Sequence, residues 1–257
     1  MIASPEGFKI IYKLPPRKAG KGFVKGKLYG VVKGKRTFDM TAERDENVHS
    51  QQRRLVSCAY AMDTMKSLEP YVDATIEVLL EKIEEAGSKG QVANFSYLLQ
   101  FLAFDVIGEV SFARRFGYLD ALSDGGVFRT ISAVMASAVR YEVGTTAWAL
   151  HRNRGVFGDD AEDFRPERWL DEQRKHEMYP NQYFFSIGGG SRTCIGKNIA
   201  MLEMGKVLPT ILLHFDLQLA PEKGSPKEVY GLFVALEPLS VIALGPQIGS
   251  NIGWTLR

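Results

Sequence analysis

Cys194 stands in the stretch GGGSRTCIGKN, residues 188–198, between Arg192 and Gly196, and these residue types permit two chemistries. Glycines leading into Gly196 and Lys197 could cradle a phosphate. A cysteine at the start of an apolar helix could instead bind a metal as its thiolate. A phosphate loop needs four residues between its first glycine and the Gly-Lys pair, then Ser or Thr for magnesium. Here five residues separate Gly190 from Gly196, Asn198 follows Lys197, and no β-branched strand leads into the glycines. The spacing disfavours the nucleotide reading.

The neighbours of Cys194 suit a thiolate. Free N–H groups at a helix start and the positive end of the helix dipole favour an anion and can hydrogen-bond the sulfur, which tunes a bound iron. Gly188, Gly189, Gly190 and Gly196 let the backbone turn tightly and approach a flat macrocycle that a Cβ would hold off. Arg192 offers a planar fork for a carboxylate. The plain alternative is an inert buried thiol beside a glycine turn.

Three stretches together resemble the cytochrome P450 family of haem-thiolate monooxygenases. The first is the cysteine stretch continued through KNIAMLEMGKVLPTILLHFDL. It departs from the family at Ile187, where the family usually has Phe, although an aliphatic side chain also shields sulfur from water; Phe185 lies two residues earlier. The second, FGDDAEDFRPERWL at 157–170, resembles the meander that precedes the cysteine loop. The third, ERDENVHSQQRRLVSCAY, resembles the helix whose aromatic-xxx-Arg pair supports a haem propionate. His49 and Arg53 hold those positions, one turn apart on one helix face.

The resemblance implies a mainly α fold with a small β portion, built around haem b (iron protoporphyrin IX) with Cys194 as axial ligand. It assigns Arg192, Arg53 and His49 to the propionates, Gly190 and Gly196 to the close approach, and Ile187 to the shield. It also implies insertion of one oxygen atom into an organic small molecule of fungal secondary metabolism, with electrons from an NADPH-dependent reductase. Relatives of this type sit at the endoplasmic reticulum through an N-terminal anchor, and 8–142 looks like the N-terminal half without that anchor.

The resemblance further implies an internal truncation. Residues 1–257 are expected to form a single incomplete cytochrome P450-like domain: a mostly helical half, 1–142, then the meander, cysteine loop, following helix and C-terminal sheet, 143–257. The long helix over the distal haem face and the helix with the ExxR motif have no counterpart, and the join falls near RYEVGTTAWALHRN. Glu162 and Arg165 have the right spacing but lie in an irregular stretch. Asp63 and Thr64 only faintly imitate the family's proton-delivering pair. Without its helix-borne carboxylate, Arg168 is expected to turn to solvent. A catalytically inactive remnant, or a haem-binding or interaction protein, is the alternative to an enzyme.

The elements that must position these residues follow from pattern and composition. With 257 residues, 45% of them apolar, the chain can bury an ordinary core. Thirty-two basic against 30 acidic residues leave a formal charge of +2, no basis for binding nucleic acid. The lysine- and glycine-rich run at 9–35 reads as a solvated loop surface rather than a lipid contact. Two cysteines cannot make a disulfide framework, and Cys58 reads as packing. No signal peptide is evident, and no apolar run approaches the roughly 20 residues of a bilayer span; the nearest, 93–112, contains Gln100, Asp105 and Glu109. Helices are expected near 49–62, 67–86, 94–112, 126–142 and 194–214, with strands at 8–13, 145–153, 215–220 and 230–244.

Overall fold

The computed structural model describes residues 5–12, 23–138, 147–172, 186–220, 227–230, 234–237 and 239–246. In chain order its helices are α1 Pro5–Tyr12, α2 Lys27–Lys33, α3 Glu46–Val56, α4 Met62–Ser67, α5 Glu69–Ser88, α6 Phe95–Phe112, α7 Tyr118–Ala121, α8 Val127–Ala138, α9 Ala147–His151, α10 Arg154–Phe157 and α11 Lys197–His214. Strands are β1 Ala93–Asn94, β2 Phe215–Leu219, β3 Lys227–Tyr230, β4 Val234–Glu237 and β5 Ser240–Pro246. The protein is mainly α with a small β portion, as its sequence implies.

The chain forms two compact units: Met1–Cys58 with Arg140–Lys197, and Ala59–Val139 with Asn198–Arg257. In the first, two expected strands are helices. Residues 5–12 form α1, because Pro5 suits a first helical position and Phe8, Ile11 and Tyr12 repeat at helical spacing, although Phe8, Ile10 and Tyr12 also alternate as in a strand. Residues 147–151 form α9, an Ala/Leu-rich turn that buries Leu150 completely. The rest of the predicted strand up to residue 146 lies outside the described residues, as does the end of the helix predicted at 126–142 beyond Ala138.

α3 begins three residues before the predicted 49, because Asp45 caps it. The Asp45 carboxylate accepts from the amides of Asn47 at 2.8 Å and Val48 at 3.2 Å. The predicted continuation to 62 fails: after Val56 the backbone tightens into a 3-10 turn, Ser57–Tyr60. That turn leaves Cys58 exposed rather than packed.

The second unit holds the larger core. α5 buries Val72, Ile76, Leu79 and Ile83, one stripe at steps of three and four, while Tyr71 is exposed. Against it α6 buries Leu98, Phe101, Leu102 and Val106. Among the described residues α6 is the helix long and apolar enough to cross a membrane by length and composition, but this buried stripe belongs to the core of its unit. Asp105, fully buried on α6, accepts from the amides of Gly117 at 2.8 Å, Tyr118 at 3.2 Å and Leu119 at 2.9 Å, which starts α7.

β5 is the middle of an antiparallel sheet, order β1, β5, β2, with Ala93 and Leu219 on opposite sides of Val241. β3 and β4 form a separate hairpin. α11 starts at Lys197, three residues later than predicted, and runs through Pro209 to His214. Ile199, Val207 and Ile211 face the core, whereas Leu208 is exposed. Lys206 ties α11 to α5 through Glu69 and, at 2.7 Å, Asp73.

Candidate functional site

The cysteine loop is closed by its own backbone. The Cys194 amide donates to the Ile187 carbonyl at 2.8 Å, and inside that ring the Arg192 amide donates to Gly189 at 3.1 Å and the Thr193 amide to Gly190 at 3.3 Å. Gly188 and Gly190 sit at φ of +74° and +58°, in the left-handed region where side chains are rare. The glycine at 190 has a reason within the fold itself: a Cβ there would lie 1.8 Å from the Tyr12 carbonyl of α1. The close approach is to backbone of the same unit. Gly196 lies half-buried in the turn that leads into α11.

Cys194 does not open the helix. Its carbonyl accepts from the Lys197 amide at 3.4 Å, so it precedes the helical residues, and its side chain is exposed. A packed, inert thiol is therefore not what this loop presents. Ile187, half-buried, flanks it on the other end of the closing hydrogen bond.

Arg192 reaches from this loop to α3. Its Nη2 pairs with the Glu46 carboxylate and contacts the Phe23 carbonyl at 3.4 Å, while its Nη1 is buried and has no hydrogen-bond partner. Glu46, His49 and Arg53 follow one another at steps of three and four along one face of α3. His49 is buried, not the solvated side chain that its helix position alone suggests. Burial, then the positive charges of Lys25, Arg192 and Arg53, push its pKa down to about 4, so it is neutral at pH 7.

Sequence reasoning overlooked two members of this cluster. Lys25, placed in a solvated run, is held by the carbonyls of Met40 at 3.0 Å and Thr41 at 2.7 Å. Burial and then Arg192 push its pKa down to about 8. Glu46, unremarked in the sequence, is the carboxylate that Arg192 grips. Its spacing before His49 was the available signal. Glu43 also lies nearby but is committed elsewhere: it accepts from Lys33 and from the amides of Arg44 at 2.8 Å and Asp45 at 2.9 Å, and these contacts, Lys33 first, hold its carboxyl below the usual range.

Arg168 contradicts the expectation that it turns to solvent. It is buried, and its guanidinium donates to the carbonyls of Phe157 at 2.9 Å, Asp160 at 2.8 Å, Asp163 at 3.1 Å and Arg165 at 3.1 Å, with the Asp160 carboxylate 3.6 Å away. The meander itself supplies the acceptors that a guanidinium fork needs. Glu162 and Arg165 do not pair with each other: Glu162 takes Arg152 at 2.9 Å and Arg165 takes Asp160.

The residues fit a propionate-bearing haem in their chemistry. Cys194 offers an accessible sulfur, Arg192 a dry unpartnered donor, and Lys25 and Arg53 further positive charge. Among the described residues no group of three or more His, Cys, Asp or Glu could hold a bare metal ion.

Comparison with known proteins gives the same direction. The chain is 40% identical over 162 residues to the cytochrome P450 monooxygenase hepC of Aspergillus oryzae, a match covering 58% of this chain and 30% of that protein. It is 47% identical over 78 residues to pisatin demethylase of Fusarium vanettenii, covering 30% and 15%. It is 49% identical over 82 residues to the monooxygenase cicH of Emericella nidulans, covering 32% and 16%. The matched stretches thus span less than a third of each of these relatives. The family profile of cytochrome P450 matches residues 8–137 and 140–242, nearly the whole chain, and the chain belongs to the cytochrome P450 family.

Proposed function

We propose that this chain holds haem b through Cys194 and descends from, or forms part of, a monooxygenase that inserts one oxygen atom into an organic small molecule of fungal secondary metabolism. The observation that carries this reading is the loop closed by the Cys194 amide on the Ile187 carbonyl, which presents an exposed thiol beside Arg192. When bound, a thiolate-ligated haem supplies the activation of dioxygen, with electrons from an NADPH-dependent reductase. The protein's own part is positional. Cys194 would hold the haem iron through its sulfur, and Ile187 would limit water at that sulfur. Arg192 and Arg53 attract the propionates, and neutral His49 donates a hydrogen bond from its ring rather than a charge. Gly188 and Gly190 hold the turn. That one relative is a pisatin demethylase supports an organic small molecule as the substrate.

A second reading is favoured by how little of each relative is matched. The two profile-matched segments are separated only by residues 138 and 139, which leaves no room there for a distal helix or an ExxR helix. Residues 1–257 then form one incomplete cytochrome P450 domain that binds haem without turnover.

One experiment addresses both. The expressed chain is titrated with hemin, reduced and exposed to carbon monoxide. The long-wavelength Soret band of thiolate ligation is expected, and Cys194→Ala should remove it. A chain that takes up no hemin sinks the haem assignment. Product formation with an added reductase separates the enzyme from the inactive binder.

A further inference from the structure

The Arg192–Glu46 pair joins the cysteine loop to the first turn of α3. Both residues belong to the first compact unit, 146 positions apart in sequence. A lone carboxylate contact leaves this fork incompletely used. Arg192 gives Glu46 its Nη2, while Nη1 stays buried without an acceptor, a costly condition for a charged donor. A carboxylate that met both nitrogens side by side would satisfy the fork, the arrangement guanidinium groups favour.

The electrostatic surroundings point the same way. Lys25, Arg53 and Arg192 all act on His49 with the same sign, and Lys25 and Arg192 act on each other likewise. Lys25 is fixed by two backbone carbonyls and makes no ion pair, and Arg53 likewise has no carboxylate partner among the described residues. Glu43 is taken by Lys33 and two amides. Asp39, which also acts on Lys25, is paired with Arg36 and accepts from the Ala42 amide, which leaves Glu46 as the carboxylate paired with Arg192.

We propose that Glu46 is an internal stand-in for a haem propionate: it occupies the Arg192 fork in the haem-free chain and is exchanged for the propionate when haem enters. This rests on the haem reading above and adds a contact that opposes binding. The exchange breaks one ion pair and makes another, with no covalent change. Glu46, released, stays at a half-buried helix start where the N-terminal dipole of α3 still favours its charge.

The test compares hemin affinity of the full chain and of Glu46→Gln by Soret absorbance and tryptophan quenching. If Glu46 competes, the variant binds hemin about tenfold more tightly, the loss of one partly buried charged competitor. With protoporphyrin IX iron dimethyl ester, whose propionates are neutral, the gain should vanish. Equal or weaker hemin binding by Glu46→Gln, with a wild-type chain that shows thiolate ligation lost in Cys194→Ala, overturns the exchange and leaves the haem reading standing. No hemin binding by either chain overturns both. If circular dichroism shows Glu46→Gln unfolded, Glu46→Asp decides: its shortened carboxylate should bind hemin more tightly than wild type, and no gain overturns the proposal.

Discussion

The Tyr12 carbonyl of α1 stands 1.8 Å from where a Cβ on Gly190 would be, so the end of one helix and the turn before Cys194 share a space that only glycine leaves open. Gly190 also sits at φ +58°. Gly190→Ala is expected to push α1 off the turn and to destabilise its unit by about 2–4 kcal/mol, combining left-handed strain with the clash. Faster hydrogen exchange at the amides of α1 would report it. Unchanged protection there would show that this contact does not hold the turn.

Arg168 should be a structural anchor of the meander. Arg168→Leu leaves four backbone carbonyls short of a donor and is expected to lower stability by about 2–4 kcal/mol, read as a shift in urea midpoint. Arg168→Lys should recover only part, because one ammonium cannot span the fork's directions. A fully stable Leu variant would refute the anchoring role.

Asp105 organises the turn after α6 from inside the core. Asp105→Asn keeps the shape but replaces charge-assisted acceptance from Gly117, Tyr118 and Leu119 with one amide oxygen. A loss of about 1.5–3 kcal/mol is expected, with faster exchange of those three amides. Equal protection in the variant would count against it.

Acid should weaken the first unit through His49. Its folded pKa, about 4, lies below the ordinary 6.5, so between those values the unfolded chain binds the extra proton and stability falls as pH falls. The contribution is complete above pH 6.5. His49→Gln should flatten the denaturation midpoint across this window, and a profile identical to wild type would exclude His49 as the source.

Glu203 on α11 should act in the opposite sense. Burial raises its pKa from 4.5 to about 7, and it has no hydrogen-bond or ion-pair partner among the described residues. The folded chain holds the extra proton, so stability falls as pH rises from 4.5 to 7. Glu203→Gln is expected to stabilise by about 1–2 kcal/mol at pH 8 and to change nothing at pH 4, by thermal denaturation. A gain of equal size at both pH values would point away from ionisation.

Much was legible in the residues themselves. The five residues between Gly190 and Gly196, with Asn198 after Lys197, argued against a phosphate loop, and the apolar period placed α5 and α6 to within a few residues, because local periodicity and motif geometry depend on neighbours in sequence. Short segments were not legible in this way. Phe8, Ile10 and Tyr12 alternate as in a strand while Phe8, Ile11 and Tyr12 repeat as in a helix, and α1, like α9, took the helical form. Two facts about charge required the folded chain. Arg168 looked stranded without a partner helix, yet the meander curls its own carbonyls around it. Lys25 looked like a surface charge and Glu46 drew no notice, yet folding brings Glu46 to Arg192 from across the sequence and sets Lys25 beside it. Which donor meets which acceptor, and how much water is left between them, is decided by through-space distance, and that is why the local order of residues determined the loop while only the tertiary structure determined its electrostatics.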